Sequence, residues 1–211
     1  MLAEILKIHA VKPEASLINY AAEQIQAGQV LGMPTDTFYG LAADPFNLRA
    51  VERVYEIKSR LRHKPLSLLI EHVDQAEEFA LLPDDFHLLA RRFWPGPLTM
   101  IVPAAPHLPL KVTANTGNVA LRVPAAEIPL AVLRAVKIPI TATSANLSGA
   151  AECTTAEEVR EQLRDRLSLI VDGGKSPRIK ASTIVHFKSD GSWQILREGA
   201  IDSKDIVEAL S

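Results

Sequence analysis

The sequence predicts an α/β fold: a single domain built on one open, twisted, mixed β-sheet with flanking helices. Short apolar or alternating runs, typical of strands, alternate with amphipathic helical patterns along all 211 residues. Aromatic residues make up only 5 % of the chain, so the core must be built mainly from aliphatic side chains, which favours helices packed on sheets. No internal repeat and no Pro/Gly/Ser-rich linker divides the sequence, so one domain over residues 1–211 is expected.

Strands are predicted from two patterns. Alternation of apolar and polar residues predicts the first strand, and short apolar runs predict most of the others. The Asp190-Gly191 dipeptide predicts a hairpin that joins the last two strands. In chain order, the predicted strands are Leu2–His9, Val30–Met33, Leu66–Ile70, Leu98–Val102, Val119–Val123, Ile138–Thr143, Leu167–Val171, Ser182–Phe187 and Ser192–Arg197.

Helices are predicted where apolar residues recur with a period near 3.6. Gly28 is expected to end the first helix, and the Trp94–Pro97 segment is expected to end the third. In chain order, the predicted helices are Ala15–Ala27, Leu48–Ser59, Asp84–Phe93, Ile128–Val136, Thr155–Leu163 and Asp202–Leu210.

Charge and composition exclude several classes of protein. The 23 basic and 25 acidic residues give a net charge of −2, so any surface that binds anions must be local. A single cysteine, Cys153, excludes an internal disulfide and is typical of a reducing compartment. No apolar run approaches the roughly 18 residues of a membrane span, and Glu4 and Lys7 interrupt the amino-terminal stretch. A cytoplasmic location without membrane association is therefore expected.

Familiar catalytic motifs are missing from the sequence. Gly174-Lys175-Ser176 looks like the end of a P-loop, but the earlier glycine of that motif would fall at Leu169, inside a predicted strand. No G-x-G-x-x-G motif follows a strand, and neither H-E-x-x-H nor G-x-S-x-G occurs. The six histidines are scattered without ligand spacing, so no metal site is expected in the protein.

Two polar segments follow short apolar strands, where α/β sheets usually bind ligands. In Pro34–Leu41, two threonine hydroxyls and Asp36 can hydrogen-bond a small polar ligand, although a turn capped by Asp36 explains the segment equally well. In Thr141–Gly149, small residues allow backbone amides to approach phosphate oxygens, and Ser144 and Asn146 add side-chain donors. An ordinary loop is the alternative there.

Three further segments carry arginine or lysine beside predicted strands. Lys58–Leu66 has four formal positive charges within seven residues and leads directly into a buried strand. It indicates either a solvated helix end or a site for an anion such as a triphosphate. Arg122 interrupts an apolar strand, and a carboxylate is its natural bidentate partner. Lys180–Ile184, followed by Arg197–Gly199, is a weak signal alone.

Taken in order between Leu6 and Ile201, these segments resemble the YrdC-like family of L-threonylcarbamoyladenylate synthases. The strings that carry the resemblance are P-T-D-T-F-Y-G-L, K-S-R followed by K-P-L, W-P-G-P-L-T, L-R-V-P, T-S-A-N-x-S-G, D-G-G, and S-T-I leading to R-E-G. The resemblance implies an open twisted sheet around a deep, positively charged cavity. The extra carboxyl-terminal domain of the longer family members is not expected in this chain.

The resemblance assigns residues to three roles. The catalytic residues would be Lys58, Arg60, Ser144 and Asn146. The ATP-binding residues would be Arg60, Lys64, Asn118, Ser144, Glu152 and Arg197, with the backbone near Ala151 or Glu152 beside the nucleotide. The threonine-binding residues would be Thr35, Thr37, Arg122, Ala142 and Ser182. Two departures are Leu69, where some members have histidine, and Leu61, where many have proline.

The implied reaction combines L-threonine, bicarbonate and ATP into threonylcarbamoyl-AMP and pyrophosphate for tRNA modification. Mg²⁺ is expected with ATP, and tRNA and downstream threonylcarbamoyl-transferase proteins are expected partners. One alternative is an RNA-binding or regulatory module without this activity. Another is a domain that adenylates carbamate for hydrogenase maturation, which would be expected to carry acyl-phosphatase and zinc-finger segments.

Overall fold

A computed structural model describes residues 3–177 and 180–211. The amino-terminal end of the predicted Leu2–His9 strand, at Leu2, lies outside the described residues. The predicted α/β class with a twisted, mixed strand arrangement and flanking helices is confirmed, but the strands form two sheets where one was predicted. The strands are β1 Glu4–Lys7, β2 Leu31–Met33, β3 Gly40–Ala42, β4 Ser67–Leu69, β5 Leu98–Pro103, β6 Asn118–Arg122, β7 Ile140–Thr141, β8 Thr143–Ser144, β9 Leu169–Asp172, β10 Thr183–Phe187 and β11 Trp193–Arg197.

Helices lie between most of these strands. They are α1 Ala15–Gln26, α2 Leu48–Lys58, α3 Ala76–Phe79, α4 Asp84–Phe93, α5 Leu110–Thr113, α6 Glu127–Val136, α7 Ala156–Leu163 and α8 Ser203–Ala209. Among the described residues, none of the helices is long and apolar enough to cross a membrane.

The strands form two sheets. One has the order β1-β9-β2-β3-β8, and the other has the order β11-β10-β5-β6-β4-β7. The predicted Ile138–Thr143 strand is divided between them, because β7 pairs with β4 whereas β8 pairs with β3. Between these two short strands, the amide of Ala142 donates to the carbonyl of Ser67 at 2.8 Å. The chain therefore passes from one sheet to the other at Ala142.

Aliphatic side chains fill two core clusters, as the low aromatic content predicts. In one cluster, α1 and α6 pack on β2 and β9, with Ile25 and Val132 fully buried. The other cluster joins α2 and α7 to the strands, and also contains Phe86 of α4 and Ile206 of α8. The helices thus cover the sheets and leave the strand ends near Ala142 for a ligand.

Helix boundaries follow the local signals in the sequence. The predicted bounds of α4 are those of the structure. Gly28 adopts a φ of 83° just after α1, a left-handed conformation that favours glycine, and Asn47 caps the start of α2 through its side chain. The sequence did not predict β3, α3 or α5. Each has only three or four residues, which is too short to show a period.

Candidate functional site

A cavity of about 210 Å³ lies between the two sheets, beside the point where the chain crosses at Ala142. Residues from both sheets and from the loops after β2 and α2 line it. The lining contains nine of the residues predicted for the site: Thr35, Thr37, Arg60, Arg122, Ala142, Ser144, Glu152, Ser182 and Arg197. Residues that are far apart in the sequence thus meet in one cavity.

The cavity floor is a row of side chains across the six-stranded sheet. Ile184 of β10 pairs with Thr99 of β5, and Leu69 of β4 pairs with Arg122 of β6. β5 and β6 are antiparallel, and Met100 pairs with Leu121. Thr99 therefore lies beside Arg122 at the next position of the ladder. Partners in neighbouring strands share a face. The four residues of the row, all in the cavity lining, are therefore ordered Ile184, Thr99, Arg122, Leu69.

Several groups hold the buried guanidinium of Arg122, among them Gly96, Thr37 and Asp36. Its Nε donates to the carbonyl of Gly96 at 3.0 Å, and its Nη1 donates to Oγ1 of Thr37 at 3.1 Å. Its Nη2 lies 2.7 Å from Oδ1 of Asp36, which is also buried. These contacts orient the planar guanidinium in the cavity wall, where it can bind a carboxylate.

Lys58 lies behind the cavity wall and holds the Ser144–Ala150 loop. Its ammonium donates to the carbonyl oxygen of Asn146 at 2.9 Å, to Oδ1 of Asn146 at 3.0 Å, and to the carbonyl oxygen of Ser144. The lysine carbonyl in turn accepts a hydrogen bond from the amide of Ser148 at 2.9 Å. Burial, together with the positive charge of Arg60, lowers the pKa of Lys58 to about 8.

The loop that Lys58 holds carries its own hydrogen bonds. Oγ of Ser144 donates to Oδ1 of Asn146 at 2.6 Å, and the side-chain amide of Asn146 donates to the carbonyl of Ala150 at 2.7 Å. Ser144 lines the cavity, whereas Asn146 and Lys58 support it from behind. Hydrogen bonds therefore connect Lys58, from the K-S-R string, to Ser144 and Asn146, from the T-S-A-N-x-S-G string.

Arg60, Lys64 and Asn118 belong to the other end of β4 and β6. Nη2 of Arg60 donates to the carbonyl of Pro65 at 3.0 Å, and its Nε donates to the carbonyl of Lys64 at 3.4 Å. Ser67 pairs with Ala120 at the start of the parallel β4–β6 ladder, so Lys64 and Pro65 precede β4, whereas Asn118 begins β6. Neither Lys64 nor Asn118 lines the cavity, although the carbonyl of Lys64 helps to orient Arg60.

Arg197 of β11 is anchored on Ser182. Its Nε and Nη2 donate to the carbonyl of Ser182 at 3.0 and 2.9 Å, and its Nη2 also donates to the Ser182 hydroxyl at 3.2 Å. The same hydroxyl lies 2.8 Å from Oγ1 of Thr99. Burial lowers the pKa of Arg197, and the negative charge of Glu152 opposes that shift.

Charge in the lining is predominantly positive. Three guanidinium groups, of Arg60, Arg122 and Arg197, face one carboxylate, that of Glu152. No cluster of His, Cys, Asp and Glu that could hold a metal ion occurs in residues 3–177 and 180–211. The lining suits a ligand that carries several negative charges.

Several lining residues were not among the predicted site residues. They are Phe38, Tyr39, Gly40, Ser67, Leu69, Thr99, Thr143, Ala181 and Ile184. Thr99 had a signal in the sequence, because it is the one polar residue of the L-T-M-I-V-P strand. Tyr39 had no such signal. It is fully buried, and its hydroxyl donates to the carbonyl of Gly174 at 2.7 Å.

Comparisons with known proteins point to one family. The sequence model of the family described as "Telomere recombination", which covers Sua5, YciO and YrdC, matches residues 23–199. The chain is 36 % identical to the threonylcarbamoyl-AMP synthase of Pyrococcus abyssi, over 92 % of this chain and 57 % of that protein. It is 39 % identical to the threonylcarbamoyl-AMP synthase of Bacillus subtilis, over 92 % of this chain and 56 % of that protein.

The fold leads to the same family. The structure of P. abyssi Sua5 complexed with L-threonine matches with a TM-score of 0.94 at 33 % identity, over 99 % of this chain and 61 % of that chain. The chain thus spans little more than half of the length of these relatives. The family match itself covers most of the chain and includes every residue of the described cavity lining. We therefore identify the chain as a member of the Sua5/YciO/YrdC family, as its YrdC-like motifs predict.

Proposed function

We propose that the chain is a threonylcarbamoyl-AMP synthase, which uses L-threonine, bicarbonate and ATP and releases pyrophosphate. The observation that carries the proposal is the distribution of cations in one cavity. The oriented guanidinium of Arg122 lies at the carboxyl end of β6, and Arg60 is oriented by backbone near the opposite end of β4 and β6. Four residues of extended strand span roughly 13 Å, a distance suited to an amino acid joined to a nucleotide phosphate.

The threonine end of the site would lie on the sheet floor. Arg122 would bind the α-carboxylate through its planar fork, and Thr37 would stand beside it because its hydroxyl contacts the same guanidinium. Thr35 supports this loop, since its hydroxyl lies 3.0 Å from that of Thr37 and donates to the carbonyl of Phe38. Ala142 and Ser182 would complete the pocket around the amino acid.

The nucleotide end would use the remaining cations. Arg60 and Arg197 would bind phosphate oxygens, and the hydroxyl of Ser144 would add a neutral donor from the loop. Lys64 and Asn118 would extend the contacts with the nucleotide beyond the cavity, beside Arg60. The backbone at Glu152 would lie along the nucleotide.

Lys58 would position the Ser144–Ala150 loop and would also contribute a positive charge. Its hydrogen bonds to Ser144 and Asn146 orient the loop that would face the phosphates. Its positive charge lies behind that loop and would stabilise negative charge that develops on the phosphates. Asn146 would serve the same loop, because it accepts from Lys58 and from Ser144.

The chemistry would proceed in two steps. The amine of L-threonine combines with bicarbonate to form an N-carboxylate with loss of water. An oxygen of that carbamate then forms a bond to the α-phosphorus of ATP, and the bond from this phosphorus to the bridging oxygen breaks, so that pyrophosphate leaves. Such a transfer depends mainly on positioning and on neutralisation of charge. The cations and hydroxyl groups of the lining would supply both.

Mg²⁺ would arrive with ATP. Glu152 is the single carboxylate in the described part of the lining, so the phosphates would supply most ligands of the ion. The product is a mixed anhydride that reacts readily with nucleophiles, and we expect a threonylcarbamoyl-transferase to pass the whole threonylcarbamoyl group to tRNA with release of AMP. These partners follow from the proposed reaction.

The test is release of pyrophosphate from ATP by the purified chain. Release is expected to require L-threonine and bicarbonate together, with threonylcarbamoyl-AMP identified by mass spectrometry. Omission of either compound is the control. RNA binding without pyrophosphate release would favour a non-catalytic module, and release that requires carbamoyl phosphate in place of both compounds would favour carbamate adenylation.

A further inference from the structure

Thr99 and Ser182 form a hydroxyl pair in the cavity floor. Their oxygens lie 2.8 Å apart, and both side chains are buried. The Ser182 hydroxyl also accepts a hydrogen bond from Arg197, which as a guanidinium can only donate. Neither Thr99 nor Ser182 belongs to a charged pair, so the hydrogens of the two hydroxyls decide what the pair can bind.

The two hydroxyl groups carry two hydrogens, but the hydrogen bond between them uses only one. One of the two hydroxyl hydrogens bridges the oxygens of Thr99 and Ser182, whichever residue is the donor. In residues 3–177 and 180–211 no acceptor is found for the second hydrogen. Buried donors are rarely left without an acceptor, so the second hydrogen indicates an oxygen of the ligand.

The neighbours of Thr99 indicate which oxygen of the ligand would accept this hydrogen. Thr99 stands between Arg122 and Ile184 in the row across the sheet, and neighbouring strands are about 4.8 Å apart. The row therefore presents a carboxylate-binding cation, a hydroxyl donor and an apolar surface in succession. L-Threonine carries a carboxylate on Cα and, side by side on Cβ, a hydroxyl and a methyl group, so these three groups can face the cation, the donor and the apolar surface respectively.

We propose that Thr99 and Ile184 determine the specificity for the amino acid, Thr99 through the β-hydroxyl and Ile184 through the β-methyl group. This inference rests on the proposed function, because that function supplies threonine as the substrate. Ser182 orients the hydroxyl pair, and Arg197 holds Ser182 in place. Selection would thus reside in the floor of the cavity, and the phosphate-binding loop would take no part in it.

The experiment measures binding by calorimetric titration of L-threonine, L-serine and L-valine into wild type, Thr99→Val, Thr99→Ser and Ile184→Ala. Valine is close to threonine in shape but lacks the hydroxyl, and serine lacks the methyl group. Thr99→Val is expected to weaken the binding of threonine about tenfold and that of valine less than about twofold. Thr99→Ser is expected to restore the affinity for threonine to within about threefold, because it restores the donor.

Ile184→Ala provides the matched test of the apolar contact. It is expected to lower the preference for threonine over serine about fivefold, with the affinity for ATP unchanged in every variant. Equal weakening of threonine and valine binding by Thr99→Val would overturn the inference, because the donor would then serve the carboxylate. Unchanged threonine binding in this variant would overturn it as well.

The titration separates this inference from the proposed function. Selective binding of threonine that Thr99→Val abolishes would support the role of Thr99 even if the wild type formed no threonylcarbamoyl-AMP. Formation of the adenylate with threonine, together with full selectivity in Thr99→Val, would support the function and reject the inference. Circular dichroism of each variant confirms that the protein has folded.

Discussion

The carboxylate of Asp36 lies 2.7 Å from the guanidinium of Arg122, and both side chains are buried. Asp36 follows β2 of one sheet, whereas Arg122 ends β6 of the other. The ion pair therefore joins the two sheets beside the cavity. It holds the residue that we assign to the substrate carboxylate and contributes to the stability of the fold.

Asp36→Ala is expected to lower the free energy of unfolding by about 3 kcal/mol. The reason is that it leaves the Arg122 charge buried without its carboxylate partner. Urea denaturation measures the change. The matched control is Glu56→Ala, which removes an exposed i,i+3 partner of Arg53 and is expected to cost less than about 1 kcal/mol. Equal costs for the two variants would contradict a structural role of the buried pair.

Arg122→Lys is expected to raise the KM for L-threonine about tenfold or more, with the KM for ATP changed less than about twofold. Lysine keeps the charge but cannot reproduce the bidentate fork. Steady-state pyrophosphate release gives both constants, and Arg134→Lys, on the surface, is the control. If the KM for ATP rose while the KM for threonine stayed unchanged, Arg122 would bind the nucleotide instead of threonine.

Lys58→Ala and Arg60→Ala are each expected to lower turnover by about 10²-fold. Lys58→Ala releases the Ser144–Ala150 loop, and Arg60→Ala removes a cation from the cavity lining. Turnover is measured at saturating substrates, with the exposed Lys204→Ala as control. Near-wild-type turnover in both variants would exclude the assigned phosphate site.

Lys58 is also expected to make stability depend on pH. Its folded-state pKa of about 8 lies below the ordinary value of 10.5, so the unfolded chain binds more protons between these values. The contribution of Lys58 to the free energy of unfolding therefore rises as the pH increases from about 8 towards about 10.5. Wild type should gain stability relative to Lys58→Met over this window in urea denaturation. A constant difference from about pH 7 to about pH 10 would contradict the lowered pKa.

If the proposed function holds, the wild-type protein is expected to use L-threonine best, L-serine less well and L-valine least. Valine leaves a buried hydroxyl partner unpaired, whereas serine loses only the contact of one methyl group, worth about 1–3 kcal/mol. Pyrophosphate release at saturating ATP and bicarbonate compares the three. Valine turnover equal to or above that of serine would mean that the pocket recognises shape alone, and the polar roles of Thr37 and Ser182 and the donor role of Thr99 would be withdrawn.

The sequence by itself determined the elements whose signals are local. The apolar period and the stop signals around α4 predicted its bounds, and the Asp190-Gly191 turn predicted the β10–β11 hairpin. Part of the cavity lining was found in the same way, because polar segments at strand ends and an arginine within an apolar strand are visible without knowledge of the fold. Helical period, turn chemistry and charge are properties of neighbouring residues, so the chain carries them directly.

Only the tertiary structure decided which groups meet. The division of residues 138–143 between two sheets depends on pairing with β3 and β4, which are remote in the sequence. The placement of Lys58 behind the loop, and of Thr99 between Arg122 and Ile184, depends on packing and on strand register. Register is set by the burial of whole sheet faces, and a shift of one residue would turn Thr99 away from the cavity. Such long-range pairing leaves no local trace in the sequence.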